Sequence, residues 1–260
     1  MKAKPLSNQG SHITIKAKRD FPLFVFGDHA SRHIPDKYDN LGLHGADLTR
    51  HIAWDIGTDI IIKHLCEHFG CAGQLAAVSR LVIDLNRNSN SPSLIPSDSD
   101  GTRITGNINL SPKERQDRIE LYHSPYHQAL GQAIDALPDP LIISVHSFTP
   151  KPDLGDVRLV DIGLLVKHDI ETAHALREMF MRLGMNYTLG INEPYSAYDL
   201  NYTIDMTAAP RGLRHLAVEI NQGLIDTDAK ALSMAKTLAD RLEPIVYRSF
   251  RSIKDYDYAR

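Results

Sequence analysis

Apolar residues along the chain fall into two rhythms, short continuous runs and longer stretches at helical spacing. Phe21-Pro22-Leu23-Phe24-Val25-Phe26 is a near-continuous run that ends at Gly27-Asp28-His29-Ala30-Ser31, which predicts a buried strand closed by a sharp turn. A short alternating segment, His12 to Lys16, precedes it. Between Asp47 and Phe69 the positions Ile52, Ile56, Ile60 and Leu65 keep helical spacing, and Gly70 follows as a C-cap, so a helix is expected there. Ala76 to Leu85 is a second expected strand, running into Asn86-Arg87-Asn88. Ser111-Pro112-Lys113-Glu114 joins an N-cap serine, a proline at N1 and a glutamate at N3, and opens a helix expected to reach about Leu137. Further strands are expected at Leu141 to Val145, Asp161 to Val166 and Leu213 to Ile220. Further helices are expected over 169–183, closed by Gly184, and over 226–250, capped by Asp226.

Strands alternating with helices predict an α/β domain in three layers, with a mixed, mostly parallel sheet covered by helices on both faces. No Pro/Gly/Ser-rich linker splits the chain and no internal repeat is visible, so residues 12–260 read as one catalytic-sized domain behind a polar, loosely held tail at 1–11. Residues 88–110 are dense in Ser, Pro, Asp, Asn and Gly. A loop of that length within a compact domain is more often functional than idle.

Composition narrows the function. Lys and Arg total 29 against 32 Asp and Glu, a net charge of −3, which offers no basic stripe for nucleic acid. The longest apolar stretches, Leu141–Val145 and Ile162–Val166, are far too short for a membrane span, and the N-terminus lacks an apolar signal core. A cytoplasmic protein with a small-molecule partner is the expectation, and the sequence does not indicate an oligomeric state. Cys66 and Cys71 lack CxxC spacing and a second pair, so they read as reduced thiols near a helix end and not as zinc ligands. The 13 histidines are a reason to look for a metal or proton-transfer site.

Four expected strand ends carry polar residues: Asp28-His29, then Asp84-Leu85-Asn86-Arg87, His146, and Glu219. Ligands of open α/β sheets bind beyond the carboxyl ends of strands, so these four groups should meet. His29 and His146 with one carboxylate would make a hydrolase-type zinc site that keeps a position for water. The carboxylate is either Asp55, which reads equally as an acid placed early in a helix to suit the macrodipole, or Asp28. Asn86 and Arg87 suit a substrate carboxylate, and Arg80 either points into the same pocket or pairs with an acid. Glu219, an acid within the apolar run Leu216-Ala217-Val218-Glu219-Ile220, is either a general base or a partner of Arg211 or Arg214.

These segments resemble the motifs of the N-formylglutamate amidohydrolase family. Gly27-Asp28-His29-Ala30-Ser31 with Ile34-Pro35 is similar to the first, and His51-Ile52-Ala53-Trp54-Asp55-Ile56-Gly57 to the second. Val78 through Arg87, His146-Ser147-Phe148-Thr149-Pro150, Asn192-Glu193-Pro194-Tyr195-Ser196 and Arg211-Gly212-Leu213 through Glu219-Ile220 continue in family order, from about Phe21 to Leu224. The family is similar in turn to zinc carboxypeptidases and aspartoacylases. The resemblance implies a phosphorylase/hydrolase-like fold and a zinc or other divalent metal held by His29, His146 and an acid. It also implies Asn86 and Arg87 as a clamp for a substrate carboxylate, Glu219 as the base, and cleavage of an N-formyl or other N-acyl acidic amino acid; Arg80 and Arg211 are expected as further substrate contacts. A carboxypeptidase-like activity, another deacylase, or a non-catalytic amino-acid-binding protein on the same fold are the alternatives. The chain departs from the pattern in two places. Position 32 is Arg, so the His-x-x-Glu of the carboxypeptidases is absent, and Tyr202 to Thr207 lacks a histidine that relatives are expected to carry there.

Overall fold

The computed structural model describes residues 10–184 and 186–248, with side chains placed to residue 246. Nine strands are present among them: β1 His12–Ile15, β2 Leu23–Gly27, β3 Ala72–Ala76, β4 Asp98–Ser99, β5 Thr102–Arg103, β6 Leu141–Phe148, β7 Ile162–Leu165, β8 Leu189–Ile191 and β9 His215–Asn221. The α-helices are α1 Thr58–Phe69, α2 Pro112–Arg118, α3 Ser124–Asp135, α4 Ile170–Arg182, α5 Tyr202–Met206 and α6 Asp228–Arg248. Seven strands form one sheet in the order β1-β3-β2-β6-β9-β7-β8, while β4 and β5 pair apart from it. The central run β3-β2-β6-β9 is parallel, and antiparallel pairing enters where β1 meets β3 and where β7 meets β9.

Alternation along the strands builds two cores. Leu23, Val25, Ile143, Val145, Leu216 and Val218 face one side of the sheet and bury against α1, α4 and α6 through Ile61, Leu65, Leu176, Phe180, Leu238 and Leu242. Phe24, Phe26, Ile142 and Ala217 face the other side and meet Tyr126, Leu130 and Ile134 of α3 and Ile204 of α5, together with the long loops through Leu41, Ile52, Leu81 and Leu94. The α/β, three-layer, mostly parallel architecture is therefore as expected, although loops supply much of the second outer layer. Cys66 and Cys71 are buried free thiols, and hydrogen bonding to Cys71 together with burial pushes the Cys66 thiol up. No helix among the described residues is long and apolar enough to cross a membrane.

Several boundaries differ from the pattern reading. The helix expected over Asp47 to Phe69 begins only at Thr58; residues 45–48 form a short 3₁₀ turn and the rest is irregular. Ile52 packs in the loop-covered core whereas Ile61 and Leu65 pack on the opposite face of the sheet, so one straight helix could not serve both. Gly57 marks the break at φ +80, where a side chain would strike the carbonyl of Ile225. The strand expected over Ala76 to Leu85 lies earlier, at Ala72–Ala76. Beyond it Ser79 turns the chain, its Oγ accepting from Leu81 N–H and its carbonyl from Val82 N–H, so that every apolar residue from Ala77 to Leu85 is buried without being strand. A continuous apolar run does not reveal which buried structure it adopts.

The helix from Ser111 has the expected capping box and passes through a π turn at Ile119–His123 to Asp135. The final helix is capped by Thr227, whose Oγ1 accepts from Lys230 N–H, while Asp226 pairs with Lys230 Nζ. Of the tail expected at 1–11, residues 1–9 lie outside the described residues. Ser11 is buried and its carbonyl accepts from Ala77 N–H. The expected helix end at 249–250 also lies outside them.

One row across the sheet prepares the site. His146 of β6 pairs in register with Glu219 of β9, Glu219 with Gly163 of β7, and Gly163 with Gly190 of β8. The two glycines leave room for the backbone at Glu193 to lie on the sheet, since a Cβ at Gly163 would collide with the Glu193 carbonyl and one at Gly190 would stand 2.6 Å from Glu193 Cβ. Asn192 fastens that loop to the end of β7, its Oδ1 accepting from Val166 N–H and its Nδ2 donating to Val166 O. Gly163→Ala should therefore displace the loop and destabilise the protein by about 1–3 kcal/mol, the usual cost of overpacking. Denaturant unfolding at constant m checks this, and an unchanged midpoint would refute it.

Candidate active site

β2 delivers Asp28 and His29 at its carboxyl end, and β6 and β9 deliver His146 and Glu219 on the loop-covered face of the sheet. Asp55 arrives from the irregular segment before α1, held because its N–H donates to the His29 carbonyl. The side chains of His29, Asp55 and His146 are buried, and each offers one ligand atom, all within 4.8 Å of one another. Asp55 Oδ2 lies 2.9 Å from His146 Nδ1 and 3.4 Å from His29 Nδ1, and it also accepts from Ser147 N–H at 3.3 Å.

The outer ring nitrogens are occupied from behind. His29 Nε2 donates to Asp84 Oδ1 at 2.7 Å, and His146 Nε2 stands 2.9 Å from Ser144 Oγ and 3.6 Å from Asp28 Oδ2. Both imidazoles thus turn Nδ1 inward, an orientation that partners at the far nitrogen characteristically fix in metal-binding histidines. Arg80 braces the assembly by donating to Asp55 Oδ1 at 3.1 Å and to Asp84 Oδ2 at 3.0 Å. Asp28 Oδ1 accepts from Thr203 Oγ1 at 3.0 Å.

Charge is unbalanced in this centre. Burial would lower the histidine pKa values, and Arg80 would lower that of His29 further. The surrounding carboxylates outweigh both, so His29 lies above its ordinary value and His146 is pushed up to about 9 by its bond to Asp55 and the charge of Glu219. Burial works against ionised Asp55 and Asp84 as well, yet the histidines and Arg80 hold both carboxyls well below the usual carboxylate range. Glu219 goes the other way: burial raises its pKa against the pull of His146, and its Oε2 has no hydrogen-bond partner.

A cavity of about 170 Å³ lies against the inward faces of His29, Asp55, His146 and Glu219, and is closed by Tyr195 and Leu200. It adjoins an outer cavity of about 390 Å³ through the shared residues Arg80, Arg87, Ser147 and Tyr195. The Tyr195 phenol is pushed up to about 12 by burial and by Glu219, so it stays a hydrogen-bond donor near neutrality. A roomier cavity, about 880 Å³, opens elsewhere, between residues 30–34 and the start of α6. Of its three acids, Asp59 and Asp226 are paired with Lys63 and Lys230, and no metal-type ligand set converges on it among the described residues.

Most of the residues singled out from the sequence meet here, but not all. Asn86 lines the inner cavity with its Oδ1 bound by Thr203 N–H, and Arg87 lines both cavities without a carboxylate partner among the described residues. Arg211 is not brought to the cluster; it binds Asp135 at the end of α3 through Nε and Nη2. Arg214 donates to the Ile245 carbonyl, so neither arginine is the partner of Glu219 that one reading of the sequence allowed. Tyr195, in the motif Asn192 to Ser196, reaches both cavities, and nothing in the sequence marks that place for it. Ser144 was legible in principle, because it stands two residues before His146 on the same face of its strand.

The family model described as N-formylglutamate amidohydrolase matches residues 21–225. No curated protein matches the chain. Among solved structures, gene product Atu2144 from Agrobacterium tumefaciens is 30% identical with a TM-score of 0.88, the match covering 95% of this chain and 98% of that one. The structure of N-formylglutamate amidohydrolase from Ralstonia eutropha shares the fold at 19% identity and a TM-score of 0.71, covering 92% of this chain and 99% of that one. With the family model spanning the strands and loops that bring His29, Asp55, His146 and Glu219 together, the chain belongs to the N-formylglutamate amidohydrolase family.

Proposed function

We propose that the protein is a metal-dependent amidohydrolase that removes a formyl or other small acyl group from the nitrogen of an acidic amino acid. The observation that carries this reading is the meeting of three buried donor side chains, His29, Asp55 and His146, with an unpartnered buried carboxylate, Glu219, beside His146 in the sheet. The donor set fits a divalent ion. Two nitrogens and one oxygen are turned inward, the rear nitrogens are held in place, and the excess of carboxylates favours a cation at the centre. Zinc suits such nitrogen and oxygen ligands, and when bound it would polarise the amide carbonyl and acidify the attacking water.

The remaining chemistry belongs to the chain. An amide needs a proton on its departing nitrogen, and Glu219, placed over the cavity with a raised pKa, is suited to take the proton of the attacking water and deliver it there. Arg87 supplies a guanidinium with no carboxylate partner among the described residues, lining the inner cavity where the carboxylate nearest the cleaved bond would lie. Arg80 is engaged by Asp55 and Asp84, so its role is to hold those two acids and not to bind substrate alone. Tyr195 can donate to an oxygen that gains charge in the same space.

Three outcomes are expected. His29→Ala and His146→Ala should each abolish stoichiometric divalent metal in purified protein; elemental analysis with full occupancy in either variant would remove that residue from the ligand set. Because the His146 proton must leave before its nitrogen can coordinate, metal affinity should climb as pH rises toward about 9, by about tenfold per unit for each proton displaced. Calorimetry in buffers of different ionisation enthalpy measures that release, and pH-independent affinity would count against it. Glu219→Gln should keep metal and fold while kcat falls by ~10²–10⁴-fold, and near-normal turnover would reject Glu219 as the base.

A further inference from the structure

The outer cavity carries more positive charge than the protein itself uses. Two acids line it, Asp84 and Asp100, and both are compensated. Asp84 is bound by Arg80 and His29, and Asp100 by His51 Nε2 at 3.0 Å and by the N–H groups of Asp153 and Leu154. Two guanidinium groups in the same cavity, Arg87 and Arg158, have no carboxylate partner among the described residues. Arg158 is also held in a defined place. Its guanidinium carbon lies 4.6 Å from the ring centre of Tyr195 and 5.9 Å from that of Phe148, its Nη1 donates to the Thr149 carbonyl at 3.0 Å, and its backbone N–H donates to Pro150. The segment carrying it is fastened by the two N–H groups on Asp100 and by an Arg50–Asp153 ion pair. A half-buried arginine stacked on aromatic rings with donors to spare is pre-organised for a planar anion.

We propose that Arg158 binds the side-chain carboxylate of a dicarboxylic amino acid, and so sets the preference for an acidic over a neutral side chain. This rests on the amidohydrolase reading and deepens it. The two chambers divide such a substrate by distance along its own bonds. The α-carboxylate sits on the carbon that bears the cleaved nitrogen, and therefore stays near the inner cavity, which Arg87 lines. The side-chain carboxylate lies further off, in the outer cavity, which Arg158 lines and the metal-type donors do not. An amide in place of that carboxylate would keep the shape and lose the charge-assisted bonds, so the discrimination is one of charge and not of size.

The test compares L-glutamate with L-glutamine by titration calorimetry, and N-formyl-L-glutamate with N-formyl-L-glutamine by turnover, in the metal-loaded wild type, Arg158→Gln and Arg158→Lys. The wild type should favour the acid by about 10–100-fold, the span expected for hydrogen bonds between charged groups. Arg158→Gln should erase that ratio while values for the neutral ligands hold, and Arg158→Lys should restore part of it. A purely structural role for Arg158 would weaken acid and amide alike, leaving the ratio intact, and would overturn the proposal; so would a wild type with no preference. The binding ratio decides the proposal even where no N-formyl substrate turns over. That result would sink the hydrolase reading and leave the Arg158 assignment standing, whereas turnover with an unchanged ratio in Arg158→Gln would do the reverse.

Discussion

Asp55 is the point on which the rest of the centre hangs. One of its oxygens faces the inward nitrogens of two histidines, and the other is held by Arg80, which reaches on to Asp84 and through it to the far side of His29. Four carboxylates (Asp28, Asp55, Asp84 and Glu219) are buried around this point, and Arg80 alone is paired with two of them. Uncompensated burial of that charge would be prohibitive, so something positive must occupy the middle. Either the imidazoles carry protons, as their raised pKa values indicate, or a cation replaces those protons. Metal affinity and histidine basicity are then two expressions of one electrostatic demand.

The sheet contributes what loops cannot, a fixed distance between the candidate ligand and the candidate base. His146 and Glu219 are lateral partners on adjacent parallel strands, so their backbones are hydrogen-bonded neighbours. Moving either would mean breaking the central ladder. Next to them the fold removes side chains where strands would ordinarily carry them, at Gly163 and Gly190. The space so gained lets the loop bearing Tyr195 descend onto the face of the sheet and close the inner cavity. Rigidity on one side and a seated loop on the other are what a site needs if it is to hold donors in register.

How much of this was legible depends on which residues are asked about. His29, at the end of a run of five buried residues, and Glu219, an acid inside an apolar strand, announce themselves by contrast with their neighbours. Asp55 does not. It was expected within a helix, and the structure spends that segment on reaching the His29 carbonyl before α1 begins. The stretch from Val78 to Leu85 misled for a related reason: all but three of its residues are apolar, and burial in a turn-rich loop leaves the same apolar mark as burial in a strand. Arg211 and Arg158 show the limit from the other side. Both are arginines in loops, and only the fold determines that one meets Asp135 while the other meets a cavity. Chemistry-bearing residue types can be found by eye, but their pairings are set by contacts distant in sequence.

The strand order has a bearing on how the molecule comes to exist during synthesis. β9, the last strand among the described residues, does not add to an edge; it sits between β6 and β7, in the middle of the sheet. As the polypeptide emerges, residues through Phe148 can assemble β1, β3, β2 and β6, which leaves the flank of β6 as an open edge. β7 and β8 can pair only with each other until the final strand arrives. All three metal-type donors lie in the part made first, whereas the candidate base is made last. The sheet is thus closed by its own wedge, late and through pairing of distant segments, a topology that favours slow folding and leaves a nascent chain exposed at its central edge. The edge left open in that interval is the groove into which Glu219 is fitted.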